Sequence, residues 1–304
     1  MINDSISLAL GPLAAEVLPR RGGVLSSLLF RGNTLLTTTN WSDNIPPYDS
    51  YAADEATWVE RWSGGWQLCA PNIGFGDRNS RTAAFHGAAS QDVWKVTDQS
   101  NSFVELFWES QDRRLNIVRR WQLTNFQAVR VDTELTNLSG DSVAVAVAEH
   151  LILGSDFLQP LTSHQLGTLE YCSEAGIGEL DYTGAPLGQV TNENKSDLRW
   201  SELSQARPAT VFAITHPSKK SVSASIAGWR AQVDWEGLDH ALIWQEFGYS
   251  QEAPWHGQVF ALGIEPTNVP HGLGANAQEG PFLPAGQSMR WSTTLSFEER
   301  AEAK

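Results

Sequence analysis

Three side chains in this sequence have the chemistry to move protons: one carboxylate near the C-terminus and two imidazoles. Glu265 lies in the stretch VFALGIEPTNVPHG, between Ile264 and Pro266, after an apolar run. Because proline lacks a backbone N–H, we expect it to end the strand, so that the carboxylate projects at a sheet rim. Partial burial there would raise the pKa of the carboxyl group and suit a general base. The alternative is an ordinary strand-end glutamate in water.

The two histidines have distinctive neighbours. His86 lies in AFHGAASQDVW, where Gly87 lets the backbone turn ahead of Trp94. His150 follows the stretch SVAVAVAE, and strand alternation places its side chain on the face opposite Glu149. Imidazole titrates near neutral pH, which suits both donation and acceptance of a proton. The alternative for each is a hydrogen-bonded histidine of the core or surface.

Other kinds of active site lack their sequence signatures. No HxH, HExxH or CxxC spacing occurs, so we predict no metal site, and we interpret Cys69 and Cys172 as inert thiols. No phosphate-cradling GxxxxGKS/T, no GxGxxG after a strand and no GxSxG elbow is present. Any chemistry would therefore depend on acidic and basic side chains, without a cofactor.

The charge balance restricts the partners. The chain has 21 Lys and Arg against 35 Asp and Glu, a formal net charge of −14, with no basic cluster. Nucleic acid and anionic membrane surfaces both need basic patches, so we expect neither as a partner. No run of about 18 apolar residues predicts a membrane span. The N-terminal stretch has acid rather than base ahead of its short apolar run, unlike a secretory signal. We expect a cytoplasmic protein, and its oligomeric state stays open.

The elements that must position these side chains are predicted to be strands. Alternating or short apolar runs recur, as in GGVLSSLLF, SFVELFWES, AVRVDTELT and SVAVAVAEHLIL. Residues 137–141, NLSGD, are typical of a hairpin turn between two long strands. No segment has a sustained helical stripe. We predict an all-β protein, a large antiparallel β-sandwich of two stacked sheets that forms a single domain over residues 1–304.

Tryptophan is unusually common, with 13 residues against 12 Phe and 5 Tyr. Four lie in the loop-rich stretch between about residues 40 and 81, namely Trp41, Trp58, Trp62 and Trp66. The indole ring has a broad apolar face and an N–H donor, which suit a core and also suit stacking on sugars. A long connection with this many aromatic residues indicates a functional rim.

Taken in order along the chain, these stretches resemble the aldose 1-epimerase (galactose mutarotase-like) family. PRRGGVLSSLLFRGNTLL is similar to the family's opening strands, and AFHGAASQDVW to its His-Gly motif with a following Trp. The run from LNIVRRWQL to AEHLILG resembles its central hairpin, and GIEPTNVPHGLGANAQEGPFLPAGQSMRWSTTLSF its C-terminal stretch. The resemblance spans nearly the whole chain and is weakest between about residues 155 and 225. It implies a supersandwich fold and cofactor-free interconversion of the anomers of an aldose.

The resemblance also implies roles. Ring opening needs a base for the O1 proton and an acid for the ring oxygen, and ring closure reverses both roles. By resemblance Glu265 is the base, His150 is the acid, and His86 holds the ring-oxygen side of the sugar. Tryptophans of the segment 58–66, Trp66 among them, are expected to form an apolar wall.

The chain departs from the family pattern at its sugar-binding residues. Many members carry an Asn-Arg pair upstream of the first histidine; here Asn72 matches, and Ile73 occupies the arginine position. Arg78 or Arg81 are the candidates to replace that arginine. The family's sugar-binding aspartate has two candidates, Asp234 and Asp239, and Gln245 and Trp244 are candidates for polar and stacking contacts instead.

Three hypotheses of function follow. The first is an aldose 1-epimerase acting on a free hexose or a related small-molecule sugar. The second is an epimerase of a phosphorylated or other anionic sugar, which needs local basic residues and is disfavoured by the low Lys and Arg count. The third is a non-catalytic carbohydrate-binding sandwich, because a fold does not fix a function.

Overall fold

The structure is a computed structural model of the 304-residue chain. It describes residues 5–42, 50–76, 84–162, 167–171, 176–180, 186–189, 197–199, 210–226, 228–270 and 280–299. The statements below concern these residues. Cys172, Arg78 and Arg81 lie outside the described residues.

The described residues form 22 strands. The first half comprises β1 (Ile6–Leu10), β2 (Leu13–Leu18), β3 (Val24–Phe30), β4 (Asn33–Thr34), β5 (Trp66–Cys69), β6 (Lys95–Gln99), β7 (Phe103–Glu109), β8 (Leu115–Asn125), β9 (Ala128–Asn137), β10 (Val143–Ala144) and β11 (Ala148–Gly154). The second half comprises β12 (Gly167–Tyr171), β13 (Gly176–Leu180), β14 (Pro186–Gln189), β15 (Asp197–Arg199), β16 (Thr210–Thr215), β17 (Ser221–Ile226), β18 (Trp229–Glu236), β19 (His240–Phe247), β20 (Phe260–Thr267), β21 (Phe282–Leu283) and β22 (Ser288–Glu299).

These strands pair into two large sheets and a two-stranded ribbon. The first sheet has the spatial order β1-β2-β3-β5-β11-β20-β19-β16-β13-β14, with β4 paired to β3. The second has the order β15-β12-β17-β18-β22-β9-β8-β7-β6, and β10 pairs with β21 in the ribbon. Neighbouring strands are antiparallel, as in β19 with β20 and β8 with β9. The predicted all-β antiparallel sandwich is confirmed.

One apolar core lies between the two large sheets. Alternation in β9 buries Val129, Val131 and Leu135 there, while Arg130, Asp132 and Glu134 are less buried. The rings of Trp66 in the first sheet and Trp121 in the second meet edge to face, with centroids 5.0 Å apart. Both sheets contribute to this one cluster of buried residues. The single-domain interpretation stays a prediction.

Two short helices occur, α1 (Glu55–Arg61) between β4 and β5 of the first sheet and α2 (Ser155–Thr162) between β11 of the first sheet and β12 of the second. A 3-10 turn covers Ala88–Ser90. The sequence analysis did not predict α1, because seven residues are too few to show a sustained helical stripe. Its start is nevertheless well defined, since Asp54 Oδ1 accepts a hydrogen bond from the Thr57 N–H at 2.9 Å.

Two local predictions are wrong. Residues 137–141 do not join two long paired strands: β9 ends at Asn137 in the second sheet, and the next strand, β10, pairs with β21 instead. The segment therefore leaves the sheet, with the Asn137 amide donating to the Asp141 and Leu283 carbonyls. Pro266 also does not end its strand, because β20 continues to Thr267.

Candidate active site

Three adjacent strands of the first sheet place polar side chains in one row. In the antiparallel pairing of β11 with β20, Ala148 is opposite Thr267 and Ile152 is opposite Gly263, so His150 falls opposite Glu265. On its other side, His150 is opposite Gln67 of β5. Side chains directly opposite on one face lie about 4.5–5.5 Å apart at Cβ. Strand register therefore brings together two residues that are 115 positions apart in sequence.

His86 reaches the same place from a tight turn. His86 and Gly87 both have positive φ, 59° and 78°, and the His86 N–H donates to the Gly74 carbonyl at 3.0 Å. A Cβ at Gly87 would lie 2.0 Å from the Ala70 carbonyl oxygen, so only glycine fits there. The turn brings the His86 ring to 5.0 Å from the His150 ring, centroid to centroid.

A pocket opens over this row. It is lined by Glu55, Trp58, Val59, Trp62, Ile73, Phe85, His86, His150, Val211, Leu242, Trp244, Trp255 and Glu265. Its open space, counted out to the surrounding solvent, is ≈ 640 Å³. A mainly apolar wall with a few convergent polar groups is the usual composition of a small-molecule site.

Helix α1 forms one wall of the pocket. Glu55, Trp58, Val59 and Trp62 line it with the spacing of one helical face, the last being the C-cap residue. The Trp58 ring meets the His86 ring edge to face at 4.4 Å and the His150 ring at 5.8 Å. The helix therefore places an indole directly against both imidazoles.

More indoles continue this wall. Trp62 meets Trp244 at 5.9 Å and Trp255 at 5.9 Å, centroid to centroid. Trp41 packs on Trp255 at 5.7 Å and donates its indole N–H to the Val59 carbonyl at 2.8 Å. The predicted aromatic rim is thus built by Trp41, Trp58 and Trp62, joined by two tryptophans from the C-terminal half.

Glu265 and His150 form the polar floor. The Nε2 atom of His150 and the Oε1 atom of Glu265 are 4.0 Å apart, and both residues are buried. Burial raises the pKa of Glu265 from 4.5 to about 8. Burial, and then the nearby His86, lower the pKa of His150 well below its usual 6.5. Near pH 7 the pair therefore holds one proton, on the carboxyl group.

The His86 ring is fixed by its own backbone contact. Its Nδ1 atom lies against the Ile73 carbonyl oxygen, which can only accept, so Nδ1 carries the proton. Burial lowers the pKa of His86 to about 4 even though this hydrogen bond acts in the opposite direction. A neutral ring protonated at Nδ1 leaves Nε2 as an acceptor. His86 is therefore set to accept a hydrogen bond at Nε2.

Gly263 leaves room for the Glu265 carboxylate. Residues two apart on a strand share a face, and the Glu265 side chain lies over Gly263. A Cβ at Gly263 would lie 2.4 Å from Glu265 Oε1, with Ile152 Cδ1 and Trp244 Cβ each at 3.1 Å. Any larger residue at position 263 would displace the carboxylate or the Trp244 wall.

Trp66 does not line the pocket, so its predicted role in the sugar wall is corrected. On β5, alternation turns Trp66 and Leu68 into the core between the sheets. There the Trp66 indole donates to Glu149 Oε2 at 2.7 Å. Arg119 also donates to both oxygens of Glu149, at 2.8 and 2.7 Å. Trp66 is thus part of a buried ion-pair cluster behind His150.

Asp234, Asp239 and Gln245 are likewise not in the pocket. Asp234 lies on β18 in the second sheet, half-buried, and accepts from the Gln232 amide at 3.0 and 2.8 Å. Asp239 is exposed and pairs with Lys220 at 2.9 Å. Alternation on β19 turns Leu242 and Trp244 to the pocket and Gln245 to the opposite face, where its amide atoms have no hydrogen-bond partner in the described part of the chain.

Asn72 supports the pocket without lining it. Its amide donates to the Gly74 carbonyl at 2.7 Å and to the Ala84 carbonyl at 2.9 Å. These bonds join two loop segments that flank His86. Ile73 does line the pocket, at the position where the resemblance leads one to expect arginine. The proposed substitutes for that arginine, Arg78 and Arg81, lie outside the described residues.

Some lining residues were missed by the sequence analysis. Glu55 lies in the pocket wall on the helix face that also holds Trp58, Val59 and Trp62, and this stretch is too short for its i, i+3, i+4, i+7 spacing to stand out in the sequence. Gln67 does not line the pocket but is opposite His150 in register, and Gln67 Oε1 and His150 Nδ1 are both buried without a hydrogen-bond partner among the described residues. No local signal in the sequence indicates that pairing.

No group of three or more His, Cys, Asp or Glu side chains is placed to hold a metal ion in the part of the chain that the structure describes. No helix among those residues is long and apolar enough to cross a membrane.

Solved structures match this chain over nearly its full length. A galactose mutarotase related enzyme from Lactobacillus acidophilus is 10% identical, with a TM-score of 0.71, and the match covers 98% of each chain. A galactose 1-epimerase from Lactobacillus acidophilus NCFM is 14% identical, with a TM-score of 0.68, covering 98% of this chain and 95% of that one. A protein from Synechocystis sp. PCC 6803 is 15% identical, with a TM-score of 0.71, covering 97% and 96%.

These matches define the class of fold. The chain has the galactose mutarotase-like β-sandwich fold, which confirms the resemblance predicted from its sequence at the level of the fold. No family model matches the sequence, and no curated protein matches it either. At 10–15% identity the likeness carries the fold alone. The activity must be argued from the pocket.

Proposed function

We propose that this protein is an aldose 1-epimerase, which interconverts the α and β anomers of a sugar by opening and re-closing its ring. One observation carries the proposal: Glu265 and His150 lie 4.0 Å apart, buried at the floor of an aromatic pocket, and share one proton near neutral pH. Mutarotation needs one group that takes a proton and one that gives a proton, within reach of the same anomeric centre.

In the assigned roles, the Glu265 carboxylate removes the O1 proton while the His150 imidazolium donates a proton to the ring oxygen. The C1–O5 bond breaks, its electron pair stays on O5, and C1 becomes the carbonyl carbon of the open chain. Rotation about the C1–C2 bond presents the other carbonyl face. His150 then takes the O5 proton as O5 attacks C1, and Glu265 returns its proton to O1. No proton is gained or lost over the cycle.

In the absence of a sugar, the one proton of the Glu265–His150 pair lies on Glu265, whereas the assigned roles need it on His150. Both arrangements hold the same number of protons and the same net charge, so binding does not require exchange with solvent. A sugar hydroxyl between the two side chains can bridge the 4.0 Å gap and relay the proton. The aromatic wall keeps water from competing in this step.

His86 is assigned a binding role that differs from the one the resemblance implies. Its Nδ1–H is used by the Ile73 carbonyl, and the ring is neutral near pH 7 because burial lowers the pKa of His86 to about 4. The free Nε2 can therefore accept from a sugar hydroxyl but cannot donate to the ring oxygen. The indole of Trp58, against His86, offers an apolar face to the sugar ring.

Polarimetry tests the proposal. Purified protein should accelerate the approach of freshly dissolved α-D-glucose or α-D-galactose to anomeric equilibrium without added metal or nucleotide. Glu265→Gln and His150→Asn should each lower the rate by about 10²-fold or more, as loss of a general base or acid does. Glu298→Gln, an exposed change of the same kind, is the matched control.

Two outcomes would redirect the proposal. If neither neutral nor acidic aldoses are accelerated, the epimerase function is wrong and a carbohydrate-binding role is left. If only anionic sugars are accelerated, the second hypothesis from the sequence applies. A cytoplasmic location and a single small-molecule sugar as partner stay predictions.

A further inference from the structure

Glu55 is the pocket carboxylate that the proposed chemistry does not use. It begins helix α1 and lines the pocket beside Trp58, Val59 and Trp62. Trp58 is three residues further along the same helix face, a rise of about 4.5 Å. Because the Trp58 ring touches both imidazoles, Glu55 lies one helical turn from the catalytic floor, toward the start of the helix.

The setting of this carboxylate is unusual for a surface helix. Neighbouring Asp54 is exposed, caps the helix by accepting from Thr57, and has its pKa lowered mainly by that backbone bond. Glu55 is half-buried, and burial alone raises its pKa above 4.5. No salt bridge or hydrogen bond of its side chain to the described residues accompanies that burial. The carboxylate is thus partly dehydrated without a donor among the described residues. This costs free energy that a ligand can recover by donating hydrogen bonds to its two oxygens.

The ionisable residues of the pocket lining as a whole also favour a ligand that donates hydrogen bonds. Its titratable members among the described residues are two carboxyl groups, Glu55 and Glu265, and two neutral imidazoles, and none of them is a lysine or arginine. An ionised carboxylate can only accept hydrogen bonds, so a ligand that meets Glu55 must offer donors. Sugar hydroxyls are donors, whereas ionised phosphate and carboxylate groups are not. Ile73 further supplies an apolar surface where a cation would otherwise counter these charges.

We propose that Glu55 is a substrate-binding residue that accepts hydrogen bonds from adjacent hydroxyls of an uncharged aldose, and that it makes the pocket select against sugars carrying phosphate or carboxylate. The inference rests on the proposed sugar site, and it deepens that proposal by naming a substrate class and the residue that sets it. A carboxylate that accepts from two neighbouring hydroxyls also fixes which way the ring enters, and so places C1 toward Glu265.

Binding and catalysis test this inference separately. D-glucose binding is measured by quenching of tryptophan fluorescence in the Glu265→Gln background, so that no turnover is required. Adding Glu55→Gln should weaken D-glucose binding by about 10- to 100-fold, as expected for loss of charged hydrogen bonds. Glu60→Gln removes the same charge from an exposed position of the same helix and should leave binding unchanged. In the otherwise wild-type protein, Glu55→Gln should raise KM while kcat changes less than about threefold.

Deoxy sugars locate the contact. Among the 2-, 3-, 4- and 6-deoxy analogues of D-glucose, one or two should bind about 10-fold more weakly than D-glucose to the protein with Glu55, and no more weakly than D-glucose once Glu55→Gln is present. D-glucose 6-phosphate and D-glucuronate should bind at least about 10-fold more weakly than D-glucose, and Glu55→Gln should narrow that difference for at least one of them.

Three results would overturn the inference. Unchanged D-glucose binding in Glu55→Gln would show that the carboxylate does not contact the sugar. An equal loss in Glu60→Gln would show a general charge effect of the helix. Binding of D-glucose 6-phosphate as tight as that of D-glucose would show that a cation outside the described residues serves an anionic substrate. If D-glucose binds through Glu55 but no sugar is epimerised, only the proposed activity fails.

Discussion

Replacing Glu265 by glutamine should stabilise the protein at neutral and alkaline pH while it removes the proposed base. In the folded chain, burial raises the pKa of Glu265 from 4.5 to about 8. Between these two values the unfolded chain has released this proton and the folded chain has kept it. The folded state therefore binds more protons, and the free energy of unfolding falls as the pH rises through this window.

The size of the effect follows from the same two values. Each pH unit between them costs about 1.4 kcal/mol, so the window from 4.5 to about 8 corresponds to roughly 5 kcal/mol at most. Glutamine has nearly the shape of the protonated acid and cannot ionise. We therefore expect Glu265→Gln and the wild type to be about equally stable at pH 5, and the variant to be more stable by roughly 3–5 kcal/mol at pH 8.5.

Urea unfolding followed by tryptophan fluorescence between pH 5 and pH 9 measures this difference. The variant Glu298→Gln, in which the changed carboxylate is exposed, is the control and should follow the wild type at every pH. A constant difference between wild type and Glu265→Gln across the pH range would refute the reasoning, because the cost would then not come from ionisation. A variant less stable than wild type at pH 8.5 would refute it as well.

Three further predictions concern the pocket and the core behind it. The pH profile of kcat/KM for mutarotation should be bell-shaped. It should fall above about pH 8, where Glu265 loses its proton, and fall again below pH 6.5, toward the lowered pKa of His150. A flat profile from pH 5 to 9 would contradict a pair that holds one proton. Gly263→Ala should lower kcat by about 10-fold or more, because the alanine Cβ would lie 2.4 Å from Glu265 Oε1 and displace the carboxylate. A variant that folds normally and keeps the wild-type kcat would show that the position of the carboxylate is not critical. Arg119→Met should lower the free energy of unfolding in urea by about 3–5 kcal/mol, because it leaves Glu149 buried and unpaired. Adding Glu149→Met should restore part of that loss. No recovery in the double variant would mean that packing, and not charge, dominates.

The opposite faces of Glu149 and His150 could be predicted from the sequence because they depend on alternation along a single strand. His150 and Glu149 are adjacent, so a strand must send them to opposite faces, and it does. Glu265 was identified from its apolar flanks and the order of the family-like stretches. The reason given for its exposure was wrong, because Pro266 lies inside β20. The carboxylate faces the pocket through register with His150 instead.

The wrong assignments have a common physical cause: they depended on which face or which sheet a residue occupies. Trp66, Gln245 and Asp234 were each chosen for chemical type within a promising stretch. Trp66 and Gln245 are one residue away from a pocket-facing position, which is enough to reverse the face of a strand side chain. Asp234 belongs to the other sheet altogether, and no local pattern in the sequence tells which sheet a strand joins.

Helix α1 could not be predicted from the sequence for a different reason. α1 contributes Glu55, Trp58 and Val59 to the pocket, yet seven residues do not make a periodic pattern that stands out from a loop. The loop-rich stretch between about residues 40 and 81, with its four tryptophans, was interpreted as a functional rim, and Trp58 and Trp62 of this stretch line the pocket. The role of Glu55 became visible only once the helix face was known.

Strand β11 buries an ionisable side chain on each of its two faces, and the two side chains differ in how they are compensated. Toward the core, Glu149 is fully buried but accepts hydrogen bonds from Arg119 and from the indoles of Trp66 and Trp291, so its charge is compensated. Toward the pocket, His150 and Glu265 are buried 4.0 Å apart, and no hydrogen bond from an arginine or an indole reaches either side chain among the described residues. The first arrangement joins the two sheets, because Glu149 lies in the first sheet and Arg119 and Trp291 lie in the second. The second keeps two uncompensated groups 4.0 Å apart at the pocket, with a proton on the Glu265 carboxyl group near pH 7.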